Sequence, residues 1–120
     1  MQIIVTVGPD NVTKCGLPFV AAMAAAEDGD TAEFFLTQEG TYMGSASHSD
    51  WDELQSPGLP PVSELFATVR EHDALGDFVV CEPCTDARGI DADDLREFAY
   101  MGGPADLARQ ANENDTTVTF

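Results

Sequence analysis

At 120 residues the chain fits one domain of the usual ~100–150 residues, without length for a second core. Its 43% apolar content can fill that core, which sets disorder aside, and no apolar run approaches the ~20 residues needed to span a bilayer. Against 22 acidic residues stand five basic ones (Lys14, Arg70, Arg88, Arg96 and Arg109), and the net charge of −17 repels phosphate backbones and anionic membranes, excluding nucleic-acid binding.

In dilute salt such self-repulsion is costly, whereas molar salt shortens the Debye length to ~3 Å. Abundant Asp and Glu with almost no Lys are expected of a halophilic protein in a salt-rich cytoplasm. A melting temperature indifferent to KCl would remove that expectation. Met1-Gln2-Ile3-Ile4-Val5 has no basic region or cleavage site and runs directly into a strand, as expected of a mature cytoplasmic protein and not of a signal peptide. Three cysteines without a secretory signal argue against a disulfide framework. They leave core thiols, metal ligands or reactive groups.

In chain order, Ile3–Val7 is a continuous apolar run closed by Gly8-Pro9-Asp10, the pattern of a strand buried on both faces. Residues 14–27 predict a helix with Leu17, Val20, Ala21 and Ala24 on one side and Phe19, Met23 and Ala26 on another. A helix so widely apolar lies between the sheet and other elements or meets a second subunit. Thr31–Thr37 predicts a second strand. The stretch from Gln38 to about Pro60 is rich in Gly, Ser and Pro and has no clear period. A helix follows from about Pro61 to Asp73, with Val62, Leu65, Phe66 and Val69 at i, i+3, i+4 and i+7. Phe78–Cys81 is a third strand, Pro83–Arg88 a short helix capped by Gly89, and Leu95–Tyr100 a fourth strand. Pro104–Asn112 is a helix behind Gly102-Gly103. Thr116–Phe120 alternates like an edge strand with one wet face.

Strands alternating with helices imply a parallel sheet covered on both sides. The expectation is a flavodoxin-like α/β three-layer sandwich with a five-stranded, mostly parallel sheet, in a single domain over residues 1–120. Such sheets carry their functional groups beyond the carboxyl ends of the strands, here residues 8–15, 38–50 and 81–84.

Cys81-Glu82-Pro83-Cys84 is the sharpest motif at that edge. Cys81 ends a buried strand and precedes a helix, where free backbone N–H groups favour a thiolate. Arg88 supplies a fixed positive charge nearby. Glu82 and the overall negative field oppose it, so a modest depression of the Cys81 thiol is expected. A buried structural cysteine is the plain alternative. Zinc would need four ligands, and Cys15, His48 and His72 provide no second pair beside this one, so no metal is expected. CxxC at a helix start is also the arrangement of dithiol oxidoreductases, although the aromatic-Cys-Gly-Pro-Cys setting is absent. Cys15 stands at the same predicted sheet edge. His48, in the crossover loop, is a weaker candidate partner for a cysteine. Thr13-Lys14-Cys15-Gly16 lacks the glycine spacing of a phosphate loop.

The ordered set of Ile3–Val7, Ala21-Ala22-Met23-Ala24-Ala25, Phe34-Phe35-Leu36, Glu39-Gly40-Thr41-Tyr42, Cys81 eight residues before the glycine of Arg88-Gly89, Gly102-Gly103 to Leu107, and Thr117-Val118-Thr119-Phe120 resembles the DsrE/DsrF-like family of intracellular sulfur-relay proteins. The resemblance covers essentially the whole chain. It implies the flavodoxin-like fold and a sulfur-accepting cysteine at the end of the middle strand, here Cys81. It also implies sulfur donor and acceptor proteins as partners, and homo-oligomers or hetero-oligomers with a paralogue. It requires no organic cofactor. Residues 38–50 are the loop expected to shield a persulfide. Cys84 exceeds what one relay step needs, which keeps a peroxiredoxin-like thiol–disulfide role open. A noncatalytic small-ligand module is a third possibility.

Overall fold

A computed structural model describes all 120 residues. Five strands, β1 (Gln2–Val5), β2 (Ala32–Leu36), β3 (Leu75–Cys81), β4 (Ala99–Gly102) and β5 (Thr117–Thr119), form one parallel sheet in the order β4-β3-β2-β1-β5. Four helices connect them: α1 (Leu17–Glu27), α2 (Val62–Glu71), α3 (Glu82–Asp86) and α4 (Pro104–Glu113). The expected five-stranded parallel α/β fold is present. The walk from β1 to β4 runs in one direction across the sheet, and β5 then returns beside β1. A right-handed return in the opposite direction places α4 on the opposite face from α1 and α2.

Alternation along the strands sorts the side chains. Ile3, Val5, Phe34, Leu36, Phe78 and Val80 join a cluster of 18 buried residues with Phe19 of α1 and Val62, Leu65, Phe66 and Val69 of α2. Phe35, Val79 and Cys81 point to the other face and meet Cys84 and the half-buried Leu107 of α4. α1 lies against β1, β2 and α2. Val20, Ala21 and Met23 of this helix are half-buried and Ala24 is exposed.

Three expectations are corrected. The first helix begins at Leu17, not residue 14, because Asn11–Gly16 fold as turns held by Asn11 carbonyl and side-chain acceptors. The fourth strand is Ala99–Gly102, not Leu95–Tyr100. The acid-rich Ala92–Asp94 turn delays it, and Leu95 instead makes an isolated antiparallel bridge to Ser45. The crossover that showed no period is ordered: Gln38–Gly44 is a 3-10 segment, and Met43 and Trp51 enter the core. Trp51 Nε1 donates to Met43 O at 3.1 Å, and Arg96 lies 4.0 Å over the indole ring. No helix is long and apolar enough to cross a membrane.

Candidate functional site

Leu36 pairs with Val80, so the next residues, Thr37 and Cys81, stand level at the carboxyl edge of the sheet. Cys81 closes β3 and is the residue before α3; its side chain makes no capping hydrogen bond. Cys84 lies within α3, one turn further on. Both thiols are free and buried, 8% and 9% exposed, within the small cluster they share with Phe35 and Val79. Gly102 pairs with Cys81 across the sheet. A Cβ there would strike Asp106 and Val79, so β4 can pass this point only as glycine. Glu82, Pro83, Asp86, Gly102, Gly103 and Pro104 line an open, shallow depression beside the pair.

The polar neighbours gather at Cys84. Its Sγ is 3.4 Å from Thr37 Oγ1. The next residue, Gln38, has φ 51°, the left-handed region that non-glycine residues seldom adopt. Arg88 holds this turn in place: Nη1 donates to Cys84 O at 3.1 Å and Nη2 to Gln38 Oε1 at 3.1 Å. Its Nε and Nη2 both donate to Glu39 Oε1, at 3.2 and 3.0 Å.

These surroundings divide the pair. Burial pushes the Cys81 thiol above its ordinary value and the Cys84 side chain pushes it further, while the Cys84 backbone N–H and the Thr37 hydroxyl only partly offset them. Burial pushes Cys84 up as well. There, however, the Thr37 hydroxyl, the Gln38 backbone N–H, the Cys81 thiol and the Arg88 charge together carry it below the ordinary value. The expected depression at Cys81 is therefore corrected. A five-residue helix aligns few peptide dipoles, and the Gln38 N–H and the Arg88 charge reach only the second cysteine of the motif.

The other candidates lie elsewhere. Cys15 is fully buried in the large cluster on the opposite face, 3.5 Å from Ser56 Oγ and 3.6 Å from Val12 O, and does not join the pair. His48 Nδ1 lies 2.8 Å from Ser45 Oγ and 3.2 Å from Ser47 Oγ, and its ring centroid lies 5.2 Å from that of Tyr42, the two planes tilted by 47°. The loop carrying it passes over the Val80 face: a Cβ on Gly44 would come within 2.8 Å of Val80 Cγ2. Of residues 38–50, the Gln38–Gly44 segment packs against α3, with Gln38 and Glu39 bound by Arg88, and His48 is held apart from the pair by Ser45 and Ser47. His72 Nδ1 lies 2.8 Å from Thr68 O at the end of α2. No three His, Cys, Asp or Glu side chains converge where a metal ion could be held. Sequence reasoning missed Thr37 and the turn at Gln38. The available signal was a hydroxyl residue ending an apolar strand at the functional edge.

A parallel α/β sandwich with a buried thiol pair at the carboxyl edge of a central strand is the class that fold and site define. The DsrE/DsrF-like family model matches residues 1–120, and the chain belongs to that family, which is associated with sulfur relay. The uncharacterized protein MJ0989 of Methanocaldococcus jannaschii is 31% identical over 119 residues, covering 98% of this chain and 96% of its own. The ychN protein from E. coli shares the fold with a TM-score of 0.72 at 21% identity, over 99% of this chain and 97% of that one. MTH1491 of Methanobacterium thermoautotrophicum, a protein of unknown function, does so with a TM-score of 0.66 at 17% identity, over 99% and 98%.

Proposed function

We propose that this chain is a sulfur carrier: it accepts sulfane sulfur from a donor protein as a persulfide on Cys81 and passes it to an acceptor protein. The observation that carries the reading is the seating of Cys81, with a second free thiol one turn away, at the end of a buried strand beside an open depression. A persulfide is easily reduced, and a sulfur only 8% exposed is sheltered from small thiols. Cys84 is the auxiliary thiol of this site. Arg88 fixes the turn around it, and Cys15 and His48 take no part.

Incubation with a low-molecular-weight persulfide, followed by intact-mass spectrometry and fragmentation, tests the reading. One added sulfur atom is expected at Cys81, and none in the Cys81→Ser, Cys84→Ser double variant. An unmodified wild-type chain, or a double variant modified as fully through Cys15, would overturn it. The adjacency of the thiols favours one second reading, thiol–disulfide exchange through a Cys81–Cys84 disulfide. That disulfide as the sole product under the same conditions selects it.

A further inference from the structure

We infer that Cys84 is the thiol that first takes the sulfur, that Thr37 and Gln38 are the residues positioning its thiolate, and that Cys81 receives the sulfur from it. This rests on the sulfur-carrier reading and gives the two cysteines different tasks. Exposure does not separate them, at 8% and 9%. Their neighbours do. Thr37 Oγ1 stands 3.4 Å from Cys84 Sγ. Gln38 takes a left-handed conformation, φ 51°, immediately after Thr37, and its side-chain oxygen accepts from Arg88, whose guanidinium also bonds the Cys84 carbonyl. A strained non-glycine residue persists where its surroundings hold it, and here the clamp that holds it also grips the reactive turn.

The charged and titratable groups near Cys84 are Cys81 and Arg88, Glu39 beyond Arg88, and Glu82 and Asp86 of α3, which line the depression beside the pair. Arg88 and the Gln38 backbone N–H act on Cys84 alone and favour its anion, while the Thr37 hydroxyl reaches both sulfurs and both lie against Phe35 and Val79. In the first step the Cys84 thiolate attacks the outer sulfur of a donor persulfide, R–S–SH. The donor S–S bond breaks, R–S⁻ leaves, and Cys84–S–SH forms. In the second step Cys81 gives its proton to solvent, and the Cys81 thiolate attacks the outer sulfur of that group. Cys81–S–SH forms, the bond from Cys84 Sγ to that sulfur breaks, and Cys84 leaves as the thiolate. Neither step changes the net oxidation state. The direction follows from leaving-group ability, since the more acidic thiol leaves faster. Sulfur therefore moves from Cys84 to Cys81 and is held there.

Limited alkylation with iodoacetamide at neutral pH, read by fragmentation, tests the assignment without any sulfur chemistry. Cys84 is expected to react before Cys81. Thr37→Val should slow alkylation of Cys84 about tenfold and raise the pH midpoint of its rate, the consequence of losing one hydrogen bond to a charged group. Thr37→Ser should restore both. Gln38→Gly keeps the backbone N–H but removes the side chain that Arg88 grips, so it should raise the midpoint by less than Thr37→Val does. A structural role for Thr37 would alter stability and leave the midpoint unmoved. With the persulfide donor, Cys84→Ser should load Cys81 at least tenfold more slowly than wild type. Cys81 alkylated first, an unmoved midpoint in Thr37→Val, or wild-type loading in Cys84→Ser would each overturn the assignment. Absence of sulfur uptake by the wild-type chain would instead remove the carrier reading and the two transfer steps, and the alkylation order would still be read separately.

Discussion

The two faces of the sheet are held by different forces. On the α1/α2 face, Phe19, Phe34, Phe66, Phe78 and Trp51 form a continuous network, with ring centroids 4.8–6.3 Å apart. On the α4 face the apolar cluster has four residues, two of them cysteines. Directional bonds do the remaining work there. Gln2 Nε2 donates to Leu107 O at 3.0 Å, Thr117 Oγ1 donates to Gln2 Oε1 at 2.8 Å, and Gln110 Nε2 donates to Phe34 O at 3.1 Å. Apolar burial stabilises strongly but gives a thiol nothing to titrate against. The thinly packed face supplies hydroxyl, amide and guanidinium donors, and the reactive pair lies on that side. Stability and chemistry are therefore separable in this molecule, one to each face.

The largest break in that comparison comes from the aromatic side. Phe78 is fully buried, with ring centroids 4.8 Å from Phe34 and 5.1 Å from Phe98. Phe78→Ala should cost about 3–5 kcal/mol in urea unfolding, through lost transfer energy and the cavity left behind. A cost below about 1 kcal/mol would mean that the aromatic network does not dominate stability. On the other face, Gln110 is fully buried between α4 and the sheet. Gln110→Ala removes its bond to Phe34 O and its 3.4 Å contact with Gln2 Nε2, and a cost of roughly 1–3 kcal/mol is expected in the same assay. A larger cost there than at Phe78 would reverse the assignment of stability to the apolar face.

How much of this was legible follows from the range of each signal. The parallel sheet was readable from apolar runs alternating with helical periods, and the strand-end place of Cys81 from Phe78-Val79-Val80 before it. Trp51 was not, because a lone aromatic in a loop rich in Gly, Ser and Pro has no period to declare its burial. Its place depends on Met43 and Arg96, near and far in sequence. The shift of β4 to Ala99–Gly102 depended on Cys81 pairing with Gly102, which only the assembled sheet reveals. The same limit reversed the cysteines. Local sequence offered a helix start for Cys81, whereas the deciding donors come from Thr37 and Gln38, far away in the chain and level with it only through the β2–β3 register.

The smallest effect is the most specific to the thin face. Cys84 has a native value below the ordinary thiol value of 9.0, so the native state releases that proton before the unfolded state does. Its stabilising contribution is present above 9.0 and is lost as pH falls through the depressed native value. Cys81 lies above 9.0 in the native state, so its contribution is full below 9.0 and is lost as pH rises through the raised value. Together they give a rise in stability on the acid side of 9.0 and a fall on the alkaline side. Urea midpoints measured across this range should lose the rise in Cys84→Ser and lose the fall in Cys81→Ser. Cys84→Ser should also soften the fall, because the Cys84 side chain is one cause of the raised Cys81 value. The Phe78→Ala profile should be displaced downward with both slopes intact, since that ring faces away from the thiols. A rise that survives in Cys84→Ser would place the favoured thiolate elsewhere and dissolve the division of the two faces.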